Sequence, residues 1–123
     1  METRRAKRFS ASFKVKLRVD PSLSERFKIR KEEIDAEALD ISVLGMGLSC
    51  SFFIPKGVIV DLKFDINKKT VEVKGEIKSA VSGGRGLTRL GIQFFDMDKS
   101  KLEVIENFIK ENERRSEPRL ELS

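Results

Sequence analysis

Alternation of apolar and polar residues runs through most of this 123-residue chain and constrains its fold more than any other feature. The pattern is clearest between residues 71 and 81, where lysines and glutamates separate the apolar positions. A period of two is typical of a β-strand with one buried face. The residues predicted to share the core-facing side of this strand are Val71, Val73, Gly75, Ile77 and Val81. Gly75 is expected to mark a bend or a bulge, as glycines inside strands often do.

Five further segments carry strand patterns bounded by turn residues. Four of them are residues 13–19, 34–41, 47–53 and 58–66. The last strand follows a glycine-rich turn and is predicted to place Leu90, Ile92 and Phe94 on its core side. Residues 20–33 are predicted to form a loop, and residues 67–69 a hairpin turn.

The pattern changes to a helical period after Asp96. Asp98 is the predicted N-cap, and the helix is expected to end near Glu113. Its apolar stripe consists of Leu102, Ile105, Phe108 and Ile109.

Six short strands followed by one helix predict a mainly β fold: a small six-stranded antiparallel β-barrel with a C-terminal α-helix across one side. Closure of such a barrel also removes exposed strand edges. The predicted organisation is a basic N-terminal arm (1–12), the barrel (13–96), the helix (97–113) and a charged tail (114–123).

Positive charge is concentrated at the start of the chain. The net charge is +5, and residues 1–18 hold seven lysines or arginines against one acid, Glu2, so the remaining residues sum to −1. A basic segment on a near-neutral body indicates an anionic partner that binds at one place. Charge alone leaves nucleic acid, membrane phosphate and a small nucleotide open.

Composition argues against several classes of protein. No apolar run approaches the length of a membrane helix, and the N-terminus lacks the apolar region of a secretion signal. The single cysteine, Cys50, lies among apolar residues and fits an inert thiol in a reducing cytoplasm. Histidine is missing, and the acidic residues show no metal-ligand spacing. We therefore expect a cytoplasmic protein without membrane insertion, enzymatic activity or bound metal.

Two short motifs carry the chemistry of the chain. The first is Arg-x-x-x-Arg in the basic arm, formed by Arg4 and Arg8, and the second is Asp-x-Ser-x-x-Gly, formed by Asp40, Ser42 and Gly45. An arginine fork suits the O6 and N7 acceptors of guanine and can also bind phosphate in bidentate fashion. A carboxylate accepts from the N1 and N2 donors of the base. A hydroxyl can donate to phosphate or accept from a base, and glycine permits close approach.

Each motif also has a purely structural interpretation. Asp-x-Ser-x-x-Gly is typical of many β-turns, and a basic N-terminal arm is commonly a solvated chain end. Asp40 and Ser42 lie two residues apart, so both are expected to point to the same outer face of the barrel. The co-occurrence of both motifs with six alternating strands favours the functional interpretation.

With these residues the chain resembles the PilZ family of cyclic di-GMP receptors. The resemblance covers residues 4–110 and also rests on the pattern Leu-Gly-Ile-Gln-Phe at 90–94 and on the terminal amphipathic helix. It implies a six-stranded barrel that binds the dinucleotide on its outside. It also implies roles for individual residues: Arg4 and Arg8 would hold phosphates and guanines, and the guanine platform would be lined by Asp40, Ser42 and Gly45.

Three more arginines are candidates for secondary ligand contacts. Arg5 lies beside the first motif, and Arg115 and Arg119 form a second Arg-x-x-x-Arg in the tail. The second motif fits a solvated tail, a remnant of another domain, or a supplementary arm that reaches a ligand.

The sequence thus predicts a cyclic di-GMP receptor with no other cofactor. Its arm is expected to be mobile when free, because its cations repel one another. It would order over the ligand and present a changed surface to an unidentified downstream protein. The pattern is also compatible with a homodimer. The alternatives are a non-sequence-specific nucleic-acid-binding β-barrel and an interaction module that binds no ligand.

Overall fold

Six strands and one helix make up the computed structural model, which describes residues 8–19 and 33–116. The elements are β1 (Phe9–Val19), β2 (Glu33–Ile41), β3 (Gly45–Cys50), β4 (Ile59–Ile66), β5 (Lys69–Gly84), β6 (Leu87–Phe95) and α1 (Lys99–Ser116). The strands form a closed antiparallel barrel in the order β1-β2-β3-β6-β5-β4. This architecture confirms the predicted fold class.

Closure of the barrel depends on β1, which pairs with β2 on one side and with β4 on the other. Leu17, for example, lies between Ile34 and Leu62, and all three are fully buried. Each fully buried aliphatic side chain of this size contributes roughly 1.5–3 kcal/mol through the hydrophobic effect. The inner faces of the six strands therefore supply the stability, and the outer faces are left free for polar chemistry.

The helix α1 begins at a side-chain cap. The carboxylate of Asp98 accepts a hydrogen bond from the Lys101 backbone N–H at 2.9 Å, which confirms the predicted N-cap. This bond, with a second from the Ser100 hydroxyl, lowers the pKa of Asp98 below its ordinary value. Ile105 is fully buried, and Phe108 meets Phe13 of β1 edge-on at 5.7 Å between ring centroids. The helix packs mainly beside β4 and β5.

Val81 does not face the core as predicted; its exposed fraction is 58%. The cause is a register shift in β5 between Ile77 and Ser79, measured against β6. The extra residue, Lys78, reverses the alternation, because a shift of one residue moves every later side chain to the other face. Val71, Val73 and Ile77, which precede the shift, are buried as predicted.

Gly75 was predicted to mark a bend or a bulge, and the register of β5 shows no bulge there. Gly75 pairs in regular register with Val60 of β4 and with Phe94 of β6. A Cβ at this position would overlap Cγ2 of Ile92 inside the barrel. The glycine makes room for a core side chain.

Several boundaries differ from the predicted ones. β1 begins at Phe9, so residues 9–12, predicted as part of the arm, lie in the strand because the alternation of half-buried and exposed residues extends to them. β3 spans Gly45–Cys50 and leaves Phe53 exposed in the following loop. The helix continues to Ser116, beyond the predicted end at 113. Most of the predicted 20–33 loop lies outside the described residues.

We predict that Gly75→Ala lowers the free energy of unfolding by about 1–3 kcal/mol, because the added methyl group overpacks the core against Ile92. Urea denaturation measures this change. The same substitution in an Ile92→Ala background should cost less than in the wild type, because the overlapping Cγ2 is then missing. Equal costs in both backgrounds would contradict this packing.

Candidate functional site

The two motifs meet on the outer face of the barrel. Arg8 immediately precedes β1, and its guanidinium forms an ion pair with Asp40, which lies 32 residues later near the end of β2. The bonded oxygen, Oδ1 of Asp40, also accepts from the Gly47 backbone N–H at 3.1 Å. Two donors thus hold one carboxylate oxygen, and the orientation of Asp40 is fixed from both β1 and β3.

A bulge in β2 turns Asp40 outward. Against β3, the register of β2 shifts between Ala38 and Asp40, with Leu39 as the extra residue. Ala38 and Ile41 are three positions apart and both fully buried, which a regular strand would not allow. The shift leaves Leu39 and Asp40 partly exposed on the outside. Bulges of this kind commonly re-aim a side chain next to a functional site.

Ser42 and Gly45 form the turn between β2 and β3. The Oγ of Ser42 accepts hydrogen bonds from the backbone N–H groups of Leu44 at 3.1 Å and Gly45 at 3.2 Å. The N–H of Ser42 donates to the Gly45 carbonyl at 2.8 Å. Ser42 is only 3% exposed, so it does not share the outer face with Asp40 as expected. The structural interpretation of this motif, as a turn, therefore holds, and a ligand role for Ser42 and Gly45 stays a prediction.

The side chain missing from Gly45 makes room for β6. A Cβ at Gly45 would overlap the carbonyl oxygen of Ile92, and Gly45 pairs with Gln93 of that strand. Because the obstacle is backbone, it can yield only if the strands separate. Close approach at Gly45 was predicted, and the group that approaches in this structure is the neighbouring strand.

Two other glycines form a flat area beside Asp40. Gly47 of β3 pairs with Gly91 of β6, and the same row continues to Asp40 on β2 and to Ser79 on β5. We call Gly47 and Gly91 the glycine floor. Neither carries a side chain, so a planar group can lie directly on the backbone there. A Cβ at Gly91 would lie 2.5 Å from the Ser79 Oγ, which overhangs the floor from β5.

Two shallow depressions adjoin the glycine floor and share Arg8, Ser79 and Gly91. One, of about 310 Å³, contains Asp40 and Arg89. The other, of about 380 Å³, contains the Ser42–Gly45 turn together with Lys78. Arg8, Lys78 and Arg89 outnumber the single carboxylate of Asp40, although Lys78 is also 3.4 Å from Glu76. The charge of this surface suits an anionic ligand.

A third depression, of about 430 Å³, lies on the far side of the barrel and differs in charge. Its lining holds five cations and four acids, and several of them pair with each other or with a neighbour. Lys74 contacts Asp61 at 2.9 Å, and this carboxylate raises the pKa of Lys74. Such compensated, exposed pairs are typical of a solvated strand face.

The remaining predicted site residues are not tested by the structure. Arg4, Arg5 and Arg119 lie outside the described residues. Arg115 belongs to the last turn of α1. Arg8 contacts Asp40, and the mobility expected of the free arm stays a prediction. Sequence reasoning assigned no role to Gly47, Ser79 or Arg89, because the register that brings them to Asp40 depends on the bulges in β2 and β5.

Two negative findings apply to residues 8–19 and 33–116. No helix in these ranges combines the length and apolar character needed to cross a membrane. The same ranges contain no cluster of three or more cysteine or carboxylate side chains that could hold a metal ion.

We predict that two glycine substitutions destabilise the protein to different extents. Gly45→Ala should lower the free energy of unfolding by about 1–3 kcal/mol or more, because its methyl group meets backbone. Gly91→Ala should cost less than about 1 kcal/mol, because the Ser79 hydroxyl can rotate away. Urea denaturation of both variants measures the difference. A Gly91→Ala variant as unstable as the Gly45→Ala variant would show that Gly91 is needed for packing within the barrel and does not leave an open surface.

Several solved structures have a fold similar to that of this chain. The structure resembles the PilZ domain of YcgR from Escherichia coli with c-di-GMP, at 15% identity and a TM-score of 0.69, over 97% of this chain and 96% of that one. It also resembles the inhibitor of motility MotI/DgrA of Bacillus subtilis, at 10% identity and a TM-score of 0.73, over 95% of this chain and 54% of that one.

A third similar structure is the MrkH–c-di-GMP complex of K. pneumonia, at 14% identity and a TM-score of 0.69, over 94% of this chain and 55% of that one. This chain thus spans about half the length of the MotI/DgrA and MrkH chains. No curated protein matches it by sequence. The model of the PilZ domain matches residues 2–111, and the chain therefore belongs to the PilZ domain family.

Proposed function

We propose that this PilZ domain is a receptor for cyclic di-GMP, which it binds on the outside of the barrel over the glycine floor. One observation carries the proposal: Arg8 and Asp40, from motifs 32 residues apart, meet beside a flat surface with an excess of positive charge. The similar YcgR and MrkH structures contain c-di-GMP, which supports the same ligand class here.

The chemistry of Asp40 fits the Watson–Crick edge of guanine. Its Oδ1 atom is engaged by Arg8 and the Gly47 N–H, whereas its Oδ2 atom lies above Gly47. An ionised carboxylate accepts from the N1–H and N2–H₂ groups of guanine. A base that lies flat on Gly47 and Gly91 brings these donors toward Asp40, and only the missing side chains permit this position.

Arg8 serves the phosphates in this proposal. Its guanidinium has five donors, and the contact with Asp40 leaves others available for a phosphate oxygen. By resemblance to the family, Arg4 joins Arg8 at the phosphates and guanines, and Arg5 is a supplementary cation. Residues 1–7 then come to lie over the ligand, and this new surface is what a downstream protein recognises. A homodimer and the contributions of Arg115 and Arg119 stay predictions.

Non-sequence-specific nucleic-acid binding finds less support. Proteins that bind single strands in this way stack bases on exposed aromatic side chains. Among the described residues, Phe53 is the one aromatic side chain that is largely exposed, at 59%. Binding to a polyanion would weaken steeply with salt, whereas a ligand with two phosphates should give a log–log slope of only about two.

We predict that Arg8→Ala and Asp40→Ala each weaken cyclic di-GMP binding at least about tenfold, since each removes a charge-assisted hydrogen bond to the ligand. Calorimetric titration measures the affinity. The melting temperature should change little, because partly exposed ion pairs add at most about 1 kcal/mol to stability.

Matched controls lie on the far side of the barrel. Arg18→Ala and Asp61→Ala remove the same charges from exposed ion pairs, with Glu33 and Lys74 respectively, and should leave the affinity unchanged. Titration with GTP and with a short oligonucleotide tests selectivity. Absence of cyclic di-GMP binding by the wild type at millimolar excess would refute the proposed function.

A further inference from the structure

We infer that Arg89 contacts the O6 and N7 atoms of a guanine bound on the glycine floor and sets the preference for guanine. Arg89 lies outside both sequence motifs. The inference deepens the proposed function and rests on it. It follows from the position of Arg89, from its lack of a partner among the described residues and from the spacing of the strands.

Arg89 occupies the outer face of β6, two residues before the floor residue Gly91. It pairs with Ser49 of β3 and with Val81 of β5. Together with Asp40 and both floor glycines it lines the 310 Å³ depression. Arg89 therefore lies one row away from the row of paired residues that includes Asp40, Gly47 and Gly91. Because Arg89 is on β6 and Asp40 is on β2, the strand β3 lies between them.

The guanidinium of Arg89 has no hydrogen bond or ion pair with the described side chains of residues 8–19 and 33–113. Arg8 and Arg18, the other arginines on β1 and at its start, contact Asp40 and Glu33. The stem of Arg89 packs over Gly83, where an added Cβ would lie 3.2 Å from its Cγ. Gly83 lies further along β5 from the floor than Val81, the residue that pairs with Arg89, so the stem leans away from Gly91. The charged end therefore has to turn back over β6 to reach a base on the floor.

The spacing of the barrel matches the two reading edges of guanine. Adjacent strands lie about 4.8 Å apart, so the backbones of β2 and β6 are separated by roughly 10 Å, with Gly47 between them. On guanine, the N1/N2 edge and the O6/N7 edge meet at O6 and are set at an angle. A base on the floor can turn the first edge to Asp40 and the second to the diagonally placed Arg89.

The pair of Asp40 and Arg89 would reject adenine. Adenine presents an amino donor where guanine presents O6, and an acceptor where guanine presents N1–H. Arg89 has donors only, and an ionised Asp40 has acceptors only. A well-placed bidentate arginine discriminates between bases by roughly tenfold to a hundredfold. Because N7 is common to both bases, the discrimination by Arg89 arises at O6, and N7 adds to affinity.

The test combines variants with a ligand analogue. Arg89→Ala and Arg89→Lys should each weaken cyclic di-GMP binding about tenfold or more in calorimetric titration, because lysine keeps the charge but lacks the fork. Cyclic di-(7-deaza)GMP lacks N7 and should bind the wild type more weakly than cyclic di-GMP. It should bind Arg89→Ala about as well as cyclic di-GMP does, since the contact to N7 is already lost.

Arg18→Ala is the matched control, because it removes the same charge from an outer strand face away from the floor. An Arg89→Ala affinity equal to that of the wild type overturns the inference. So does wild-type affinity in Arg89→Lys, which would indicate a contact of charge alone with phosphate. A wild type that binds no cyclic di-GMP instead refutes the proposed function itself. Melting temperatures equal to the wild type would show that both variants fold.

Discussion

The register between β2, β3, β6 and β5 is the constraint on which the site depends. Gly47 and Gly91 meet as a pair, and bulges at Leu39 and Lys78 occur in the strands on either side of them. Each bulge moves one more residue to the outside, which brings Asp40 and Ser79 into line with the glycines. Without these insertions, strict alternation would either turn Asp40 into the core or turn Ile41 to the outside. The flat floor and its polar rim are therefore consequences of strand pairing in the barrel.

Stability and the proposed binding chemistry reside on different faces of the same strands. The core consists of apolar residues that line the interior, whereas the Arg8–Asp40 pair is partly exposed and adds at most about 1 kcal/mol. A contact of this strength can be exchanged for contacts with a ligand at little cost to the fold. The Gly47 N–H, which also bonds Asp40, belongs to the barrel backbone. The carboxylate accordingly stays oriented even if Arg8 turns to a phosphate.

Sequence patterns predict the architecture well because alternation reports directly on burial. The six strands, the helix cap at Asp98 and the core positions of Leu90, Ile92 and Phe94 follow from period and capping rules alone. The errors at Val81 and Ser42 have a different origin. A bulge adds one residue to a strand but is not marked by a particular residue type. A serine that caps a turn has the same sequence context as one that faces a ligand. No local rule connects Arg8 with Asp40, which lie far apart in the chain, so they were selected together through the chemistry of guanine recognition and the resemblance to a family.

The glycines show why the site itself could not be read from the chain. Gly45, Gly75 and Gly91 all lie in strands, yet a side chain would meet backbone at the first, a core methyl group at the second and a surface hydroxyl at the third. Of these three glycines only Gly91 is partly exposed, and the ligand is proposed to lie there. This distinction depends on which strand lies opposite and on which face the residue points to, and both are properties of the closed barrel. A glycine on a proposed binding surface and one that relieves packing are therefore alike in sequence and can be told apart only by their neighbours in space.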